Sequence, residues 1–87
     1  MCNKNTVTLV VEIDCPPGSP RPDTYMKTIC DDILKQEYHN PVSTFFGEWD
    51  WHFEILKSEA EAIQKKVMEY LVKLYNGGCI RYGGANV

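Results

Sequence analysis

The sequence predicts an α+β domain with the ferredoxin-like split βαβ arrangement, in the order βαββαβ, with a four-stranded antiparallel sheet and two helices on one face. Two stretches, 6–14 and 49–55, alternate between apolar and polar residues, as strands with one buried face do. Two longer stretches, 22–37 and 58–76, repeat apolar residues every three or four positions, as amphipathic helices do. A shorter strand-like run follows each helix, so the elements occur in the order that this fold requires.

The strand that contains both tryptophans is the most clearly patterned element, and the rest of the chain is organised around it. Polar residues and large apolar residues alternate strictly from Glu48 to Ile55. Aromatic rings bury more area than other side chains, so we expect Trp49, Trp51 and Phe53 to be largely buried. The opposite face of this strand carries Glu48, Asp50, His52 and Glu54.

A proline-rich loop joins the first strand to the first helix. The strand covers about Thr6–Asp14, because β-branched residues there alternate with polar ones. Residues 15–22 hold four of the five prolines, which exclude a helix or a central strand and predict a stiff connecting loop. A polyproline ligand or phosphorylation of Ser19 is the functional alternative for this loop. The helix begins at the last of these prolines and ends near Glu37, because the residue before Pro41 avoids helical geometry.

A tight hairpin is predicted to follow the first helix. Gly47 suits the first central position of a type II′ turn, so residues 46–49 are expected to form a hairpin that pairs Phe45 with Asp50. One long strand with a bulge at Gly47 is the alternative. His39, which lies between the helix and the hairpin, is expected to be solvated and to favour the helix dipole.

The C-terminal half contains the second helix and a short last strand. Residues 58–61 have the spacing of a capping box, which predicts that the helix begins there, and the glycine at 77 predicts its end. The next residues, 79–82, are long enough for one short strand. We therefore expect one domain over 1–87, with an ordered core at 5–83 and a flexible tail at 84–87.

Composition limits the classes of partner. The chain has 87 residues, a net charge of -3 and a pI near 5.2, so we expect a protein partner and no direct nucleic-acid binding. No stretch resembles a signal peptide or a membrane span, which predicts a cytoplasmic location without membrane contact. The four cysteines lack CxxC spacing, which excludes a zinc ribbon and favours reduced thiols. Cys15 and Cys79 are expected at adjacent strand ends, where mild oxidation joins them if their Cα atoms lie within about 4.4–6.8 Å.

The predicted strand order brings carboxylates together on the open face of the sheet, because the first strand and the tryptophan strand run antiparallel as neighbours. The expected partner-binding face consists of Glu12, Asp14, Glu48, Asp50, His52, Glu54 and Phe45. Four interpretations are open: a divalent-cation site, acid–base catalysis, a solvated charged face, or a docking surface for a basic protein. No calcium-ligand spacing and no cleft is predicted, so we favour the last two and expect no metal and no cofactor.

Apolar residues on the second helix exceed what one sheet face needs. Met68, Val72 and Tyr75 form a stripe beside the core positions, which predicts a homodimer interface. The favoured function is a non-enzymatic protein-interaction domain, a small acidic inhibitor or regulator of a larger complex that handles nucleic acid. The alternatives are a dimeric regulatory module that senses small molecules and a small enzyme that uses the carboxylates and His52.

Overall fold

The computed structural model of the chain describes residues 5–18, 20–45 and 48–87, except for the side chain of Phe45. It shows a four-stranded antiparallel sheet and two helices, which confirms the α+β class. The strands are β1 (Thr6–Asp14), β2 (Ser43–Phe45), β3 (Glu48–Leu56) and β4 (Tyr82–Asn86). The helices are α1 (Pro22–Ile29), extended by a π-helical turn at Cys30–Leu34, and α2 (Ala60–Asn76), preceded by a 3-10 turn at Lys57–Glu59. Neither helix is long and apolar enough to cross a membrane.

The two long strands, β1 and β3, form the centre of the sheet. The order across the sheet is β2-β3-β1-β4, and every neighbouring pair is antiparallel. Leu9 pairs with Phe53, and Val11 pairs with Trp51. Because paired residues point to the same side of a sheet, the apolar positions of both strands form one continuous surface.

The core lies between this surface and the helices. Trp51 has no exposed area, and its Nε1–H donates to the carbonyl oxygen of His39 at 3.0 Å. Phe53 is also buried, as expected. Trp49 is less deeply buried than Trp51 but packs against the core, with the guanidinium of Arg21 5.2 Å from its ring centroid.

The first helix is shorter than predicted. Regular α-helix ends at Ile29, and the chain then winds more widely through a π-helical turn to Leu34. The wider turn keeps both Cys30 and Leu34 in the core. Lys35 then adopts a left-handed conformation with φ 55°, which ends the helix and redirects the chain toward β3.

The second helix begins differently from the prediction. No side-chain hydrogen bond caps it, so the predicted capping box is wrong. The N–H of Lys57 instead donates to the carbonyl oxygen of Asn5 at 2.7 Å, and a 3-10 turn leads directly from β3 into α2. The apolar residues that the helical period of α2 places toward the sheet do face the core: Ala60, Val67 and Leu71 are buried, and Ile63, Tyr70 and Leu74 pack against the same cluster.

The register of the predicted hairpin was wrong. Phe45 pairs with Glu48, and Ser43 pairs with Asp50. The reason is that Glu48 belongs to β3 and is not part of the turn. Residues 46 and 47, on which the type II′ turn and the bulge were predicted, lie outside the described residues.

The last strand lies later in the chain than predicted. It spans Tyr82–Asn86, so residues 84–86, which we expected in a flexible tail, pair with β1, and Ala85 is buried. A Cβ atom at Gly83 would lie 2.9 Å from Cδ1 of Ile80 and 3.1 Å from Cβ of Leu71. Glycine at this position therefore allows β4 to pack closely against α2. Strand propensity depends on the local sequence alone and does not predict this tertiary contact.

Side chains and loop backbone cover parts of the outer edges of β3 and β4. Along β3, Gln36 Nε2 donates to the Glu54 carbonyl and the N–H of Val42 donates to the Asp50 carbonyl, each at 2.7 Å, and His39 Nε2 lies 3.0 Å from the His52 carbonyl oxygen. Along β4, the N–H of Ala85 donates to Sδ of Met68 at 3.2 Å, and its carbonyl accepts from Nε2 of Gln64 at 2.7 Å. These contacts occupy backbone groups that would otherwise be open to a foreign strand.

Replacing Trp51 tests the core. Trp51→Ala leaves a large cavity and an unpaired His39 carbonyl, so we expect the free energy of unfolding to fall by about 3–5 kcal/mol. Trp51→Phe keeps most of the packing and loses the N–H donor, so its loss is expected to be smaller, about 1–2 kcal/mol. Urea unfolding followed by circular dichroism measures both values.

Val42→Ala is the matched control, because Val42 is 59% exposed and only its backbone N–H is used. We expect a change below about 0.5 kcal/mol. A Trp51→Ala protein as stable as this control would contradict the central position of the ring.

Candidate functional site

The open face of the sheet collects the acidic residues of the strands. In the β1–β3 register, Glu12 pairs with Asp50 and Asp14 pairs with Glu48. These four carboxylates therefore lie in two adjacent cross-strand pairs at one end of the sheet, and Glu54 lies further along β3. Like charges placed directly opposite each other are destabilising, so repulsion between these carboxylates lowers the stability of the fold, an effect that we call the electrostatic strain.

Three of these carboxylates form a close group, which we call the acidic triad: Glu12, Glu48 and Asp50. One carboxylate oxygen from each lies within 4.8 Å of the others. Oδ1 of Asp50 is shielded from solvent and has no hydrogen-bond partner among the described residues. A buried acceptor without a donor is costly, so the triad is a place where a donor or a cation from outside would be stabilising.

Asp14 is held apart from the triad by a basic partner. Nη2 of Arg81 lies 2.9 Å from Oδ1 of Asp14, and the backbone N–H of Arg81 donates to the Asp14 carbonyl at 2.7 Å. Sequence reasoning missed Arg81. It immediately precedes β4, and its position opposite the end of β1 follows only from the strand pairing.

The remaining predicted residues lie away from the triad. Both oxygens of Glu54 accept hydroxyl hydrogen bonds, from Thr6 at 2.7 Å and from Thr8 at 3.1 Å. His52 is exposed and pairs with Val10 across the sheet. Phe45 pairs with Glu48 in the β2–β3 register, and the structure does not describe its side chain.

Tyr82 is a second residue of this face that sequence reasoning missed. It pairs with Asp14 and is 48% exposed. A Cβ atom at Gly84 would lie 3.0 Å from the Tyr82 hydroxyl oxygen, so the tyrosine side chain lies across that glycine. The sequence did contain a signal for this arrangement, since Tyr82 is followed by two glycines and a glycine in a strand leaves room for a neighbouring aromatic ring.

The charge of the sheet is strongly one-sided. The four strands contain five of the twelve acidic residues and none of the nine lysines and arginines. Among the described residues, the salt bridge formed by these carboxylates is that of Asp14 with Arg81. The face thus presents a negative potential that the net charge of -3 understates.

His39 is exposed, as predicted, but its ring also contacts β3. Its ring centroid lies 4.5 Å from that of Phe53, and its Nε2 lies 3.0 Å from the His52 carbonyl oxygen. Its Nδ1 lies 2.8 Å from the carbonyl oxygen of Asn40. A neutral imidazole donates from one nitrogen at a time, so it satisfies one of these two acceptors. Sequence could not place it, because the segment 36–42 is positioned by β3 and not by α1.

The acidic triad has the ligand type for a divalent cation, although three carboxylates make an incomplete site. Calcium takes six to eight oxygen ligands, and magnesium requires near-octahedral geometry, so either ion would depend on water or a partner for most of its shell. The triad oxygens lie on a sheet face and not in a ligand-bearing loop. The arrangement fits the docking of a basic side chain without needing a complete coordination sphere.

The stripe on α2 divides into two parts. Met68 is half-buried, and its sulfur accepts the hydrogen bond from Ala85 described above. Val72 is 47% exposed and Tyr75 is 58% exposed. With Arg81 and Tyr82, these two residues line a groove of ≈ 320 Å³ between α2 and the start of β4.

Neutralising Asp50 tests the electrostatic strain. In Asp50→Asn one negative charge leaves the triad and an amide donor replaces it, so we expect a gain of about 0.5–1 kcal/mol in the free energy of unfolding at low salt. The gain should shrink at about 1 M salt, where the repulsion is screened. Urea unfolding at both salt concentrations measures it.

Glu61→Gln on the exposed side of α2 is the matched control and should change stability by less than about 0.5 kcal/mol. If Asp50→Asn proved less stable than wild type, the Asp50 charge would be favourably paired and the strain would not exist.

Comparison with known proteins found no family model, no curated protein and no solved structure that matches this chain.

Proposed function

We propose that this chain is a non-enzymatic protein-interaction domain that docks a basic protein segment on its open sheet face. The docking surface comprises the acidic triad, Asp14, Glu54, His52 and Phe45, together with Tyr82. The observation that carries the proposal is the charge distribution, with five carboxylates in the strands and no lysine or arginine among them. A surface of one sign steers and orients a partner of the opposite sign.

The local chemistry of the triad supports a guanidinium or ammonium group as the anchor. A partner's arginine donates from several N–H groups at once, and it would supply Oδ1 of Asp50 with the donor it lacks among the described residues. The ring of Tyr82 beside the carboxylates adds apolar contact area at the edge of the same surface.

The type of partner follows from the same charge argument. Proteins that handle nucleic acid present lysine- and arginine-rich surfaces to phosphates, and an acidic sheet face competes for those surfaces. In this role the domain acts as an inhibitor or regulator of a larger complex.

We further propose the ferredoxin-like arrangement for the scaffold, with β2 reduced to three residues. The central position of β1 and β3 and the strand, helix, strand, strand, helix, strand order support this assignment. Its flat, uncovered sheet face would suit an extended partner surface.

Binding of an arginine-rich peptide tests the docking proposal. Calorimetry should detect a complex at about 50 mM salt that weakens at about 500 mM. Glu12→Gln, Glu48→Gln and Asp50→Asn together should reduce affinity at least about tenfold, because three adjacent charges and the anchoring acceptors disappear. Amide chemical shifts should move in β1 and β3 and remain unchanged in α2.

A second triple variant separates a specific surface from net charge. Glu37→Gln, Glu61→Gln and Glu69→Gln remove the same number of charges from exposed positions outside the sheet, and should keep affinity within about threefold. Equal losses in the two triple variants would show that only net charge matters. Absence of binding at low salt would refute the docking surface.

Self-association through α2 is a second candidate, favoured by the exposed apolar residues beside the groove between α2 and β4. Val72, Tyr75 and Tyr82 are each about half exposed or more, and self-association would remove this apolar area from water. We propose a homodimer in which Val72 and Tyr75 form the contact. Met68 contributes from the side through its packing on β4.

Light scattering on Val72→Asp tests the dimer. A carboxylate buried without a partner at an interface is strongly unfavourable, so this variant should be a folded monomer where the wild type is a dimer. Val42→Asp is the control: it introduces the same charge at an exposed valine that precedes β2 and does not belong to α2, so the dimer should remain intact. A monomeric wild type at high concentration would exclude the dimer, and a dimeric Val72→Asp protein would move the interface off this stripe.

A further inference from the structure

Two cysteines lie in the segments that the pairing of β1 with β4 brings together, one just after β1 and the other shortly before β4. Cys15 directly follows β1 and is 8% exposed within the core cluster. Cys79 lies in the turn between α2 and β4, is half-buried, and packs against the same cluster. Both thiols are free. They are far apart in sequence, and the pairing of Asp14 with Tyr82 brings their segments together.

Backbone contacts fix the approach of these two segments. Asp14 pairs with Tyr82, and the N–H of Arg81 donates to the Asp14 carbonyl at 2.7 Å. The Arg81 guanidinium adds the 2.9 Å ion pair to the Asp14 carboxylate. On the other side of the turn, the N–H of Cys79 donates to the carbonyl oxygen of Leu74 at 2.9 Å. The turn is therefore anchored both to the end of α2 and to the residue before Cys15.

Tyr25 of α1 interacts with the Cys79 thiol through a hydrogen bond and with Cys15 through charge alone. Partial desolvation raises the pKa of its hydroxyl, and the charge of Cys79, a hydrogen bond with Cys79 and the charge of Cys15 raise it further. Burial likewise raises the pKa of the Cys15 thiol, with smaller effects from Asp14, Arg81 and Cys79. The Tyr25 hydroxyl and the Cys15 thiol are thus both influenced by Cys79.

We propose that Cys15 and Cys79 are a redox-responsive dithiol that closes to an intramolecular disulfide with glutathione disulfide as the oxidant. The proposal is independent of the docking function. The covalent bond would join the turn before β4 to the end of β1, beside the Arg81–Asp14 ion pair at the margin of the open sheet face.

The exchange proceeds in two balanced steps. Cys79, the more accessible thiol, loses its proton and attacks one sulfur of glutathione disulfide, which forms a mixed disulfide and releases one glutathione thiolate. Cys15 then loses its proton and attacks the Cys79 sulfur, which releases the second glutathione thiolate. The released thiolates take up the two protons. Two protein thiols are oxidised and one glutathione disulfide is reduced to two glutathione molecules.

Cys30 provides an internal control. It has no exposed area, and burial raises its pKa to about 11, with a smaller contribution from Asp31. A thiol with these properties is almost entirely protonated near neutral pH and exchanges slowly. Cys30→Ser should therefore leave disulfide formation unchanged.

The experiment equilibrates the unmodified chain in glutathione buffers of increasing oxidised fraction and quenches with acid. Intact mass should fall by two hydrogens, and digestion without reductant should yield one cross-linked pair, from the Cys15 and Cys79 peptides. The closed ring spans most of the chain, so the oxidised protein should melt about 5–10 °C higher than the reduced protein. Cys2, which lies outside the described residues, is replaced by serine in a second sample and should not alter the link.

Substitutions identify the two steps. Cys15→Ser should trap the mixed disulfide on Cys79, seen as one added glutathione, and Cys79→Ser should slow all modification at least about tenfold. Because Cys15 is in the core, Cys15→Ser could lose its fold, and the peptide map of the unmodified chain then remains decisive. A link that involves Cys2 or Cys30, or only mixed disulfides at full oxidation, would overturn the proposal.

Discussion

The register between β1 and β3 is the constraint on which the rest of this molecule depends. It sets Leu9 and Val11 beside Phe53 and Trp51, and so forms the apolar surface that both helices cover. Side chains alternate along a strand, so a slip of one residue would turn this surface toward water. The same register places Glu12 opposite Asp50 on the other face. Core packing thus holds the carboxylates together despite their repulsion.

The covered edges indicate which surfaces remain for recognition. Side chains of Gln36, Gln64 and Met68, with the ring of His39, occupy backbone groups on the outer edges of β3 and β4. Strand addition is therefore obstructed at these positions. The docking that we propose accordingly uses side chains of the open face and not backbone pairing.

Stability and the proposed docking function place opposite demands on the acidic triad. A fold optimised only for stability would separate three carboxylates or supply them with donors, as it does for Asp14 through Arg81 and for Glu54 through two threonines. Asp50 retains a shielded oxygen with no donor among the described residues. Local departures from stability of this kind are expected where a protein meets a ligand.

The sequence by itself determined the α+β class, the range of β1 and the face of β3 that enters the core. These features follow from local patterns, because apolar residues that recur with the period of a strand or a helix lie on one face, and that face is buried. It also indicated which carboxylates the central strands bring together. Only the tertiary structure decided the position of β4, where Gly83 packs against Leu71, and the pairing of Arg81 with Asp14. It likewise placed His39 on Phe53 and turned Met68 toward Ala85. These features depend on contacts between residues distant in the chain, and no local period or propensity encodes such contacts.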